Sequence, residues 1–235
     1  MEKALKIIDI FDRFIEKIFL LFFLLLFLIG GYTMYDTYIV YNSADNTDLR
    51  SYKPIISVEA EEGWDMSALS KDVVAWLTVD DTTIDYPIMQ GKDNSEYLNK
   101  NPFGEYSLSG SIFLDYRNSS DFSDQYSLIY GHHMEYGKMF GALDNFIKKD
   151  YFDKHRTGTL TIANKTYKIK FFAALEADGS VSEIFEPNKS NNRLNYIREN
   201  AIIFYEPEGT KLIALSTCKF PETTDRTIIV GVLYD

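Results

Sequence analysis

An uncharged run of eighteen residues near the N-terminus constrains this chain more than any other feature. It extends from Ile18 to Tyr35, reads IFLLFFLLLFLIGGYTMY, and lies between Lys17 and Asp36. As a helix it would cover about 27 Å, close to the roughly 30 Å hydrocarbon core of a bilayer. A cleaved signal peptide is the alternative, but its apolar run usually has about 7–15 residues, and no small-x-small cleavage site follows here. We therefore expect an uncleaved transmembrane anchor in contact with membrane lipid.

Basic residues around the run predict its orientation. Lys3, Lys6, Arg13 and Lys17 precede it, whereas only Arg50 and Lys53 follow within twenty residues. An excess of Lys and Arg marks the cytoplasmic side, so the rest of the chain is predicted to be extracellular. The predicted organisation is a cytoplasmic segment over 1–17, the anchor over 18–35, a stalk over 36–64 and a folded domain over 65–235.

The predicted extracellular part is acidic. Of the 24 basic and 35 acidic residues in the chain, four of each precede Asp36, so the remainder carries the whole net charge of −11. Such a surface repels phosphate backbones, and no basic run offsets the repulsion. The composition therefore disfavours nucleic acid as a partner.

Short β-rich runs separated by turn residues dominate the predicted domain. The pattern predicts about eight strands: Val73–Val79, Ile84–Met89, Ser111–Asp115, Ser127–Tyr130, a hairpin over Thr157–Ala174, Lys211–Cys218 and Thr227–Leu233. Helical patches are fewer: Met66–Leu69, Ser95–Asn99, Met139–Phe146 and Asn192–Ile202. These features predict a mainly β fold, a closed eight-stranded β-barrel with a few peripheral helices, preceded by the single transmembrane helix.

Cys218, the single cysteine, ends one of these strands. Side chains alternate along a strand, so Ala214 and Ser216 share its face and leave room beside the sulfur. Arg226 opens the next strand, and antiparallel pairing would bring the two residues to the same end of the sheet. Taken alone, a lone cysteine is more often a small buried apolar residue, and such an arginine more often makes a surface ion pair.

Three histidines are candidates for a base. His132 and His133 follow the apolar strand at Gly131, whereas His155 is predicted to be solvated. A thiolate nucleophile needs a base or a nearby cation, so cysteine, histidine and arginine together fit acyl transfer. Histidines in turns are usually exposed polar residues, and two adjacent histidines could instead indicate a zinc site. Zinc commonly takes three or four ligands, and no such spacing accompanies this pair, so we expect no metal site.

At these residues the sequence resembles the sortases, the membrane-anchored cysteine transpeptidases of Gram-positive bacteria. Leu215–Cys218 resembles the family's LxTC signature, followed by the strand-opening arginine, and Tyr130–His132 resembles its histidine segment. Further similar segments are Trp76–Gln90, Gly110–Asn118 and Lys138–Leu143. The likeness runs from about Asp72 to Leu233 and is strongest to class B.

The resemblance implies roles for six residues. It makes Cys218 the nucleophile, His132 rather than His133 the catalytic histidine, and Arg226 the group that holds the oxyanion or orients the substrate. Asn94, Leu98 and Ser216 match positions that line the class B peptide groove. The segment Pro187–Ile202 matches the extra helix of class B. The loop Lys219–Asp225 departs from the pattern because it is shorter than in some members, which leaves the detailed shape of the groove open.

The implied reaction is a two-step acyl transfer without a cofactor. The enzyme would cleave a C-terminal sorting motif of exported proteins through a thioester and transfer them to a peptidoglycan amine at the extracellular face of the membrane. A hydrolytic cysteine peptidase is the nearest alternative, and ligation to an added amine separates the two. The other alternative is a membrane-tethered β adhesin with an incidental thiol, and slow labelling of Cys218 by a thiol probe would favour it.

Overall fold

The computed structural model describes residues 2–43, 49–54, 69–163, 165–189, 192–218 and 224–234. Of residues 2–7, Ser43 and Cys218 it describes the backbone alone. The chain divides into two compact units, residues 1–43 and 44–235, which are described separately. Parts of the predicted stalk, the predicted helical residues 66–68 and most of the loop Lys219–Asp225 lie outside the described residues.

The first unit is one helix, α1, which extends over Glu2–Ser43. Residues 8–42 have the length and apolar composition of a membrane-crossing helix, and none of its most apolar stretch is buried. Forty-two helical residues span about 63 Å, well beyond a hydrocarbon core of roughly 30 Å. The helix therefore contains the whole predicted anchor and continues into the first residues of the predicted stalk. The boundaries predicted from sequence stay predictions.

The described residues of the second unit form nine strands and several short helices. The strands are β1 Val73–Val79, β2 Asp85–Met89, β3 Ile112–Leu114, β4 Tyr126–Gly131, β5 Thr157–Ile162, β6 Lys165–Asp178, β7 Ile203–Phe204, β8 Leu212–Cys218 and β9 Asp225–Tyr234. The helices are α2 Lys149–Lys154, α3 Ser182–Phe185 and α4 Arg193–Asn200, with 3₁₀ turns at Leu49–Tyr52, Glu96–Leu98, Glu135–Gly137 and Gly141–Asn145.

Eight of the strands close into a barrel. Their order is β5-β1-β2-β3-β4-β8-β9-β6, and β6 pairs with β5 to complete the ring. The two-residue strand β7 pairs with Ala173 and Ala174 of β6. Pairing is parallel between β2 and β3 and between β4 and β8, and antiparallel elsewhere. The predicted closed eight-stranded barrel is confirmed, with β7 as an unpredicted addition.

Two segments predicted as helical are shorter and tighter than expected. The segments Ser95–Asn99 and Met139–Phe146 contain only the 3₁₀ turns Glu96–Leu98 and Gly141–Asn145. At Gly141 the chain folds so tightly that an added Cβ would lie 1.8 Å from the carbonyl oxygen of Met134. Only glycine therefore fits at the start of this turn, because any side chain would collide with the backbone of Met134.

The barrel wall is packed on both faces where β8 and β9 lie. Ile213 and Leu215 face the interior, which large side chains such as Trp76 and Phe171 fill. Ala214 faces outward, in a second apolar cluster with α3 and α4. This alternation matches the two faces that the sequence predicted for β8, and it holds β8 between two cores.

Substitution of Phe171 tests the interior packing. The ring is fully buried, and its centroid lies 6.1 Å from that of Phe146. We expect Phe171→Ala to lower the free energy of unfolding by about 3–5 kcal/mol through lost burial and a residual cavity. Tyr106, which is 77% exposed, provides the control, since Tyr106→Ala should change it by less than about 0.5 kcal/mol. Urea denaturation of the full-length protein in detergent measures both values, and equal effects would contradict this packing.

Candidate active site

Three neighbouring strands bring the predicted catalytic positions to one end of the barrel. Gly131 at the end of β4 pairs with Thr217 of β8, and Cys218 pairs with Arg226 of β9. His132 follows Gly131 directly, so it continues the row in which Cys218 and Arg226 lie. Adjacent strands are separated by roughly 4.8 Å. The predicted pairing of the cysteine and arginine strands is confirmed, while the thiol of Cys218 lies outside the described atoms.

A cleft of about 370 Å³ opens beside this row. Of the six predicted site residues, five line it: Asn94, Leu98, His132, Ser216 and Arg226. Phe113, Arg117, Tyr130 and Phe185 also line the cleft and were not assigned roles from the sequence. Apolar and polar side chains thus share a concave site, which is typical of a ligand-binding pocket.

His132 is half-buried at the cleft, and both its side chain and its backbone form hydrogen bonds. Its Nε2 lies 2.7 Å from the carbonyl oxygen of Leu98, and its own carbonyl oxygen accepts a 3.0 Å hydrogen bond from the Phe140 amide. A carbonyl oxygen can only accept, so Nε2 carries the proton in this contact, and Nδ1 of a neutral ring remains an acceptor. The preceding Gly131 permits this packing, because an added Cβ would approach Ile112 to 2.5 Å and Phe140 to 2.7 Å.

The other two histidines have different surroundings. Nε2 of His133 lies 2.6 Å from Oδ2 of Asp144, away from the cleft lining. His155 was predicted to be solvated, and this is wrong: it is half-buried and stacks on Tyr151 at 3.9 Å between ring centroids. Its Nδ1 lies 2.7 Å from the Tyr151 carbonyl oxygen. The structure thus separates three histidines that look alike in sequence.

Arg226 lies beside a tightly bonded turn. A Cβ added to Gly179 would lie 3.5 Å from the arginine Nε, an ordinary van der Waals contact, so the turn packs directly beside the guanidinium. The Gly179 amide donates a 2.9 Å hydrogen bond to the Thr224 carbonyl oxygen. Hydrogen bonds from Ser180 and Thr224 lower the pKa of Asp178 to about 2, and the Arg226 charge contributes further. The turn therefore presents a carboxylate that stays ionised near the start of β9.

A buried carboxylate binds three of the side chains that line the cleft. Asp115 has no exposed side-chain surface, and its Oδ1 and Oδ2 accept hydrogen bonds of 2.8 and 2.7 Å from Arg117. Its Oδ2 also accepts bonds of 2.9 Å from Asn94 and 3.1 Å from Tyr130. Burial alone would raise the pKa of Asp115, but the hydrogen bonds from Arg117 and Asn94 hold this pKa below its usual value. Burial, and then the Asp115 charge, raises the pKa of Tyr130.

Sequence reasoning missed this network. The segment GSIFLDYRN served only as a point of resemblance, although an aspartate at the end of an apolar strand, followed two residues later by arginine, indicates a buried ion pair. The guanidinium of Arg117 also donates a 2.6 Å hydrogen bond to the carbonyl oxygen of Phe185 in α3. The network thus connects the end of β3 to the helical layer outside the barrel.

Two hydroxyl groups at the cleft are buried without hydrogen bonds. Ser216 and Thr217 are each 1% exposed and line the cleft. Within the part of the chain that the structure describes, neither hydroxyl has a hydrogen-bond partner. Buried hydroxyl groups are nearly always paired with protein, water or ligand, so these positions suit a polar ligand. In the same described ranges, no group of three His, Cys, Asp or Glu side chains could hold a metal ion.

Comparison with known proteins identifies the family. A sortase domain model matches residues 77–234. The chain belongs to the sortase family. It is 35% identical to sortase B of Listeria monocytogenes over 178 residues, which are 72% of each chain.

Solved class B sortases share its fold. A Streptococcus pyogenes class B sortase involved in pilus biogenesis is 45% identical with a TM-score of 0.65, over 71% of this chain and 95% of that one. The Staphylococcus aureus sortase B–substrate complex is 28% identical with a TM-score of 0.66, over 71% and 82% of the two chains. These matches support the class B assignment. As a sortase, the protein is a cysteine transpeptidase.

Substitution of Asp115 tests the buried network of the sortase. Asp115→Asn leaves the Arg117 guanidinium without its counter-charge, so we expect a loss of about 1–3 kcal/mol in the free energy of unfolding at pH 7. The folded-state pKa of Asp115 is lowered, so its stabilisation is present at neutral pH and is lost as the pH falls through that value. The gap between wild type and variant should therefore shrink below about pH 4.

Urea denaturation from pH 3 to pH 7 measures this gap. The exposed Asp150 supplies the matched control, since Asp150→Asn should change the free energy of unfolding by less than about 0.5 kcal/mol. A gap for Asp115→Asn that stays constant over this pH range would contradict the assigned role of the carboxylate.

Proposed function

We propose that this sortase cleaves a C-terminal sorting motif of exported proteins with Cys218 as nucleophile, His132 as proton carrier and Arg226 as the cation at the oxyanion. The single observation that carries the assignment is the row formed by the ends of β4, β8 and β9, which abuts the cleft. Acyl transfer needs these three groups within reach of one carbonyl.

The first step forms a thioester. The Cys218 thiolate attacks the carbonyl carbon of the scissile threonine, and the guanidinium of Arg226 stabilises the negative charge that develops on the carbonyl oxygen. The protonated ring of His132, an imidazolium, donates its proton to the departing amine as the C–N bond breaks, and this leaves a neutral imidazole. The C-terminal fragment leaves and the acyl group stays on the sulfur.

The second step transfers the acyl group to a peptidoglycan amine. His132 now accepts a proton from the incoming amine, which attacks the thioester and releases the Cys218 thiolate. The product is an amide, so the substrate protein becomes covalently attached to the cell wall. Because the two steps use the same groups in opposite directions, no further proton carrier is needed.

Asn94, Leu98 and Ser216 are proposed to bind the sorting motif. Asn94 donates to Asp115 and accepts a 3.0 Å hydrogen bond from the Tyr116 amide, so its amide group is held in one orientation. Leu98 is 38% exposed and provides an apolar contact, and the buried hydroxyl of Ser216 provides a polar one. A peptide in the cleft could therefore meet both kinds of group.

The setting is proposed to be the extracellular face of a Gram-positive cell membrane. The apolar helix α1 supports a lipid anchor, and the basic residues that precede residue 18 support a cytoplasmic N-terminus. In this orientation the barrel meets exported proteins and cell-wall precursors on one side of the membrane.

A second candidate for the acceptor comes from one relative. The Streptococcus pyogenes class B sortase with 45% identity is involved in pilus biogenesis. The same thioester could therefore react with a side-chain amine of another protein subunit instead of a peptidoglycan amine. The choice of amine distinguishes the two reactions, while the first step is common to both.

Ligation to triglycine tests the proposed function. The full-length protein in detergent is incubated with a library of peptides that carry candidate sorting motifs, with and without triglycine, and the products are analysed by mass spectrometry. We expect a triglycine adduct from wild type and no cleavage by Cys218→Ala. Release of the free acid alone at saturating triglycine would instead indicate a hydrolytic peptidase. A lysine-containing acceptor peptide that outcompetes triglycine would favour protein polymerisation.

Substitution of Arg226 tests the oxyanion role. Loss of one such donor typically lowers the rate by a factor of about 10²–10³, so we expect Arg226→Ala to lower kcat to this extent. Arg198, which pairs with Glu206 at 3.1 Å on the surface, supplies the matched control, and Arg198→Ala should keep wild-type kcat. Equal kcat values for the two variants would remove Arg226 from the mechanism.

A further inference from the structure

We propose that His133 is a positioning residue that couples the loop carrying His132 to the strand carrying Arg226. This inference rests on the proposed roles of those two residues. His133 does not line the cleft, so it acts through its neighbours and not on the substrate.

The carboxylate of Asp144 connects the histidine loop to β9. Oδ2 of Asp144 lies 2.6 Å from Nε2 of His133, and its Oδ1 accepts a 3.4 Å hydrogen bond from the hydroxyl of Thr227. Thr227 is 1% exposed and adjoins Arg226. The contacts thus form a continuous bridge from the histidine loop to β9.

The donor in the short contact is the histidine. An ionised carboxylate only accepts, so Nε2 of His133 carries the proton that lies between the two groups. Hydrogen bonds to a charged partner are shorter and stronger than neutral ones, in agreement with the 2.6 Å separation. The histidine side chain is 24% exposed and the aspartate side chain 43%, so water only partly competes for this bond.

The backbone of the loop is arranged around this bridge. His133 forms an isolated antiparallel pair with Met139, and the amide of Phe140 bonds to the His132 carbonyl oxygen at 3.0 Å. Gly141 then permits the chain to return close to Met134. Gly141 also begins the 3₁₀ turn that carries Asp144. Loss of the His133 contact would therefore loosen the loop at its side-chain link to β9, while the backbone contacts remain.

A shift of about 1 Å in a catalytic group can lower a rate by about 10²-fold. Loss of the His133 contact should therefore lower kcat and leave substrate affinity unchanged. We expect His133→Leu to lower kcat by about 10- to 100-fold and to leave KM within about twofold. His133→Gln places an amide nitrogen the same number of bonds from Cα as Nε2, so it can still donate to Asp144. This variant should retain kcat within about threefold of wild type.

Controls separate positioning from a general loss of stability. His155→Leu removes a half-buried histidine that stacks on Tyr151, so it should lower the Tm without lowering kcat. Asp144→Asn removes the charge with little change of shape and tests the same bridge if His133→Leu does not fold. Equal kcat values for His133→Leu and wild type would overturn the proposal, and so would equal losses in His133→Leu and His133→Gln.

The rate of Cys218 alkylation by iodoacetamide, measured against pH, gives a readout that needs no peptide. The positions of the imidazole and guanidinium near the thiolate determine this profile. We expect the profile of His133→Leu to move toward that of His132→Ala, and the profile of His133→Gln to match wild type. An unchanged profile in His133→Leu would overturn the proposal. Failure of wild type to ligate triglycine would instead count against the proposed function, which this measurement does not require.

Discussion

The hydrogen-bonded register of β4, β8 and β9 is the constraint on which the active site depends. These strands are neighbours in the barrel, and their pairing places the residue after Gly131 beside Cys218, and Cys218 opposite Arg226. A slip of one residue in β8 would turn its side chains to the opposite face. Apolar cores on both faces of β8 oppose such a slip, because Leu215 would exchange positions with small or polar neighbours. Packing of the barrel therefore determines the geometry of the site.

Charge in the cleft is balanced locally, although the protein as a whole carries a net charge of −11. Asp115 is fully buried, and Arg117, Asn94 and Tyr130 all donate to it. A buried carboxylate without such donors would be strongly unfavourable. The network fixes the orientation of groups that line the cleft. Near Arg226, hydrogen bonds from Ser180 and Thr224 lower the pKa of Asp178, and the Arg226 charge adds to this effect.

Strand pattern and motif spacing predicted much of this arrangement. The predicted strand Val73–Val79 has the bounds of β1, and the alternation of Leu212–Cys218 gave the two faces of β8. Local sequence carries this information because the side-chain period of a strand is two. The Asp115–Arg117 network and the Asp144 contact of His133 were not predicted. The Asp115–Arg117 pair has a local signal, an aspartate that ends an apolar strand two residues before an arginine. The contacts of Asp115 with Asn94 and Tyr130, and of Asp144 with His133, join different elements, and the charges alone do not reveal these partners.

Two local predictions were wrong for different reasons. His155 follows charged residues, which indicated solvent, but its ring stacks on Tyr151 one helical turn away. The segment Met139–Phe146 has a helical pattern of apolar residues, but it contains only the 3₁₀ turn Gly141–Asn145, which begins where the chain packs against Met134. At Gly141 the packing of the loop overrides the local pattern. The partner of His155 is only four residues away, so there the neighbouring charges indicated solvent although a local stacking contact was available.

Identification of the acylated residue tests the central claim most directly. The wild-type protein is mixed with a cleavable peptide, quenched in acid and digested with trypsin, and the adduct is located by mass spectrometry. The account predicts that the N-terminal part of the peptide is attached to Cys218 in the tryptic fragment Leu212–Lys219 and is released by hydroxylamine, as a thioester requires. Cleavage of the peptide with the adduct on another residue, or with no adduct at any time point, would contradict it.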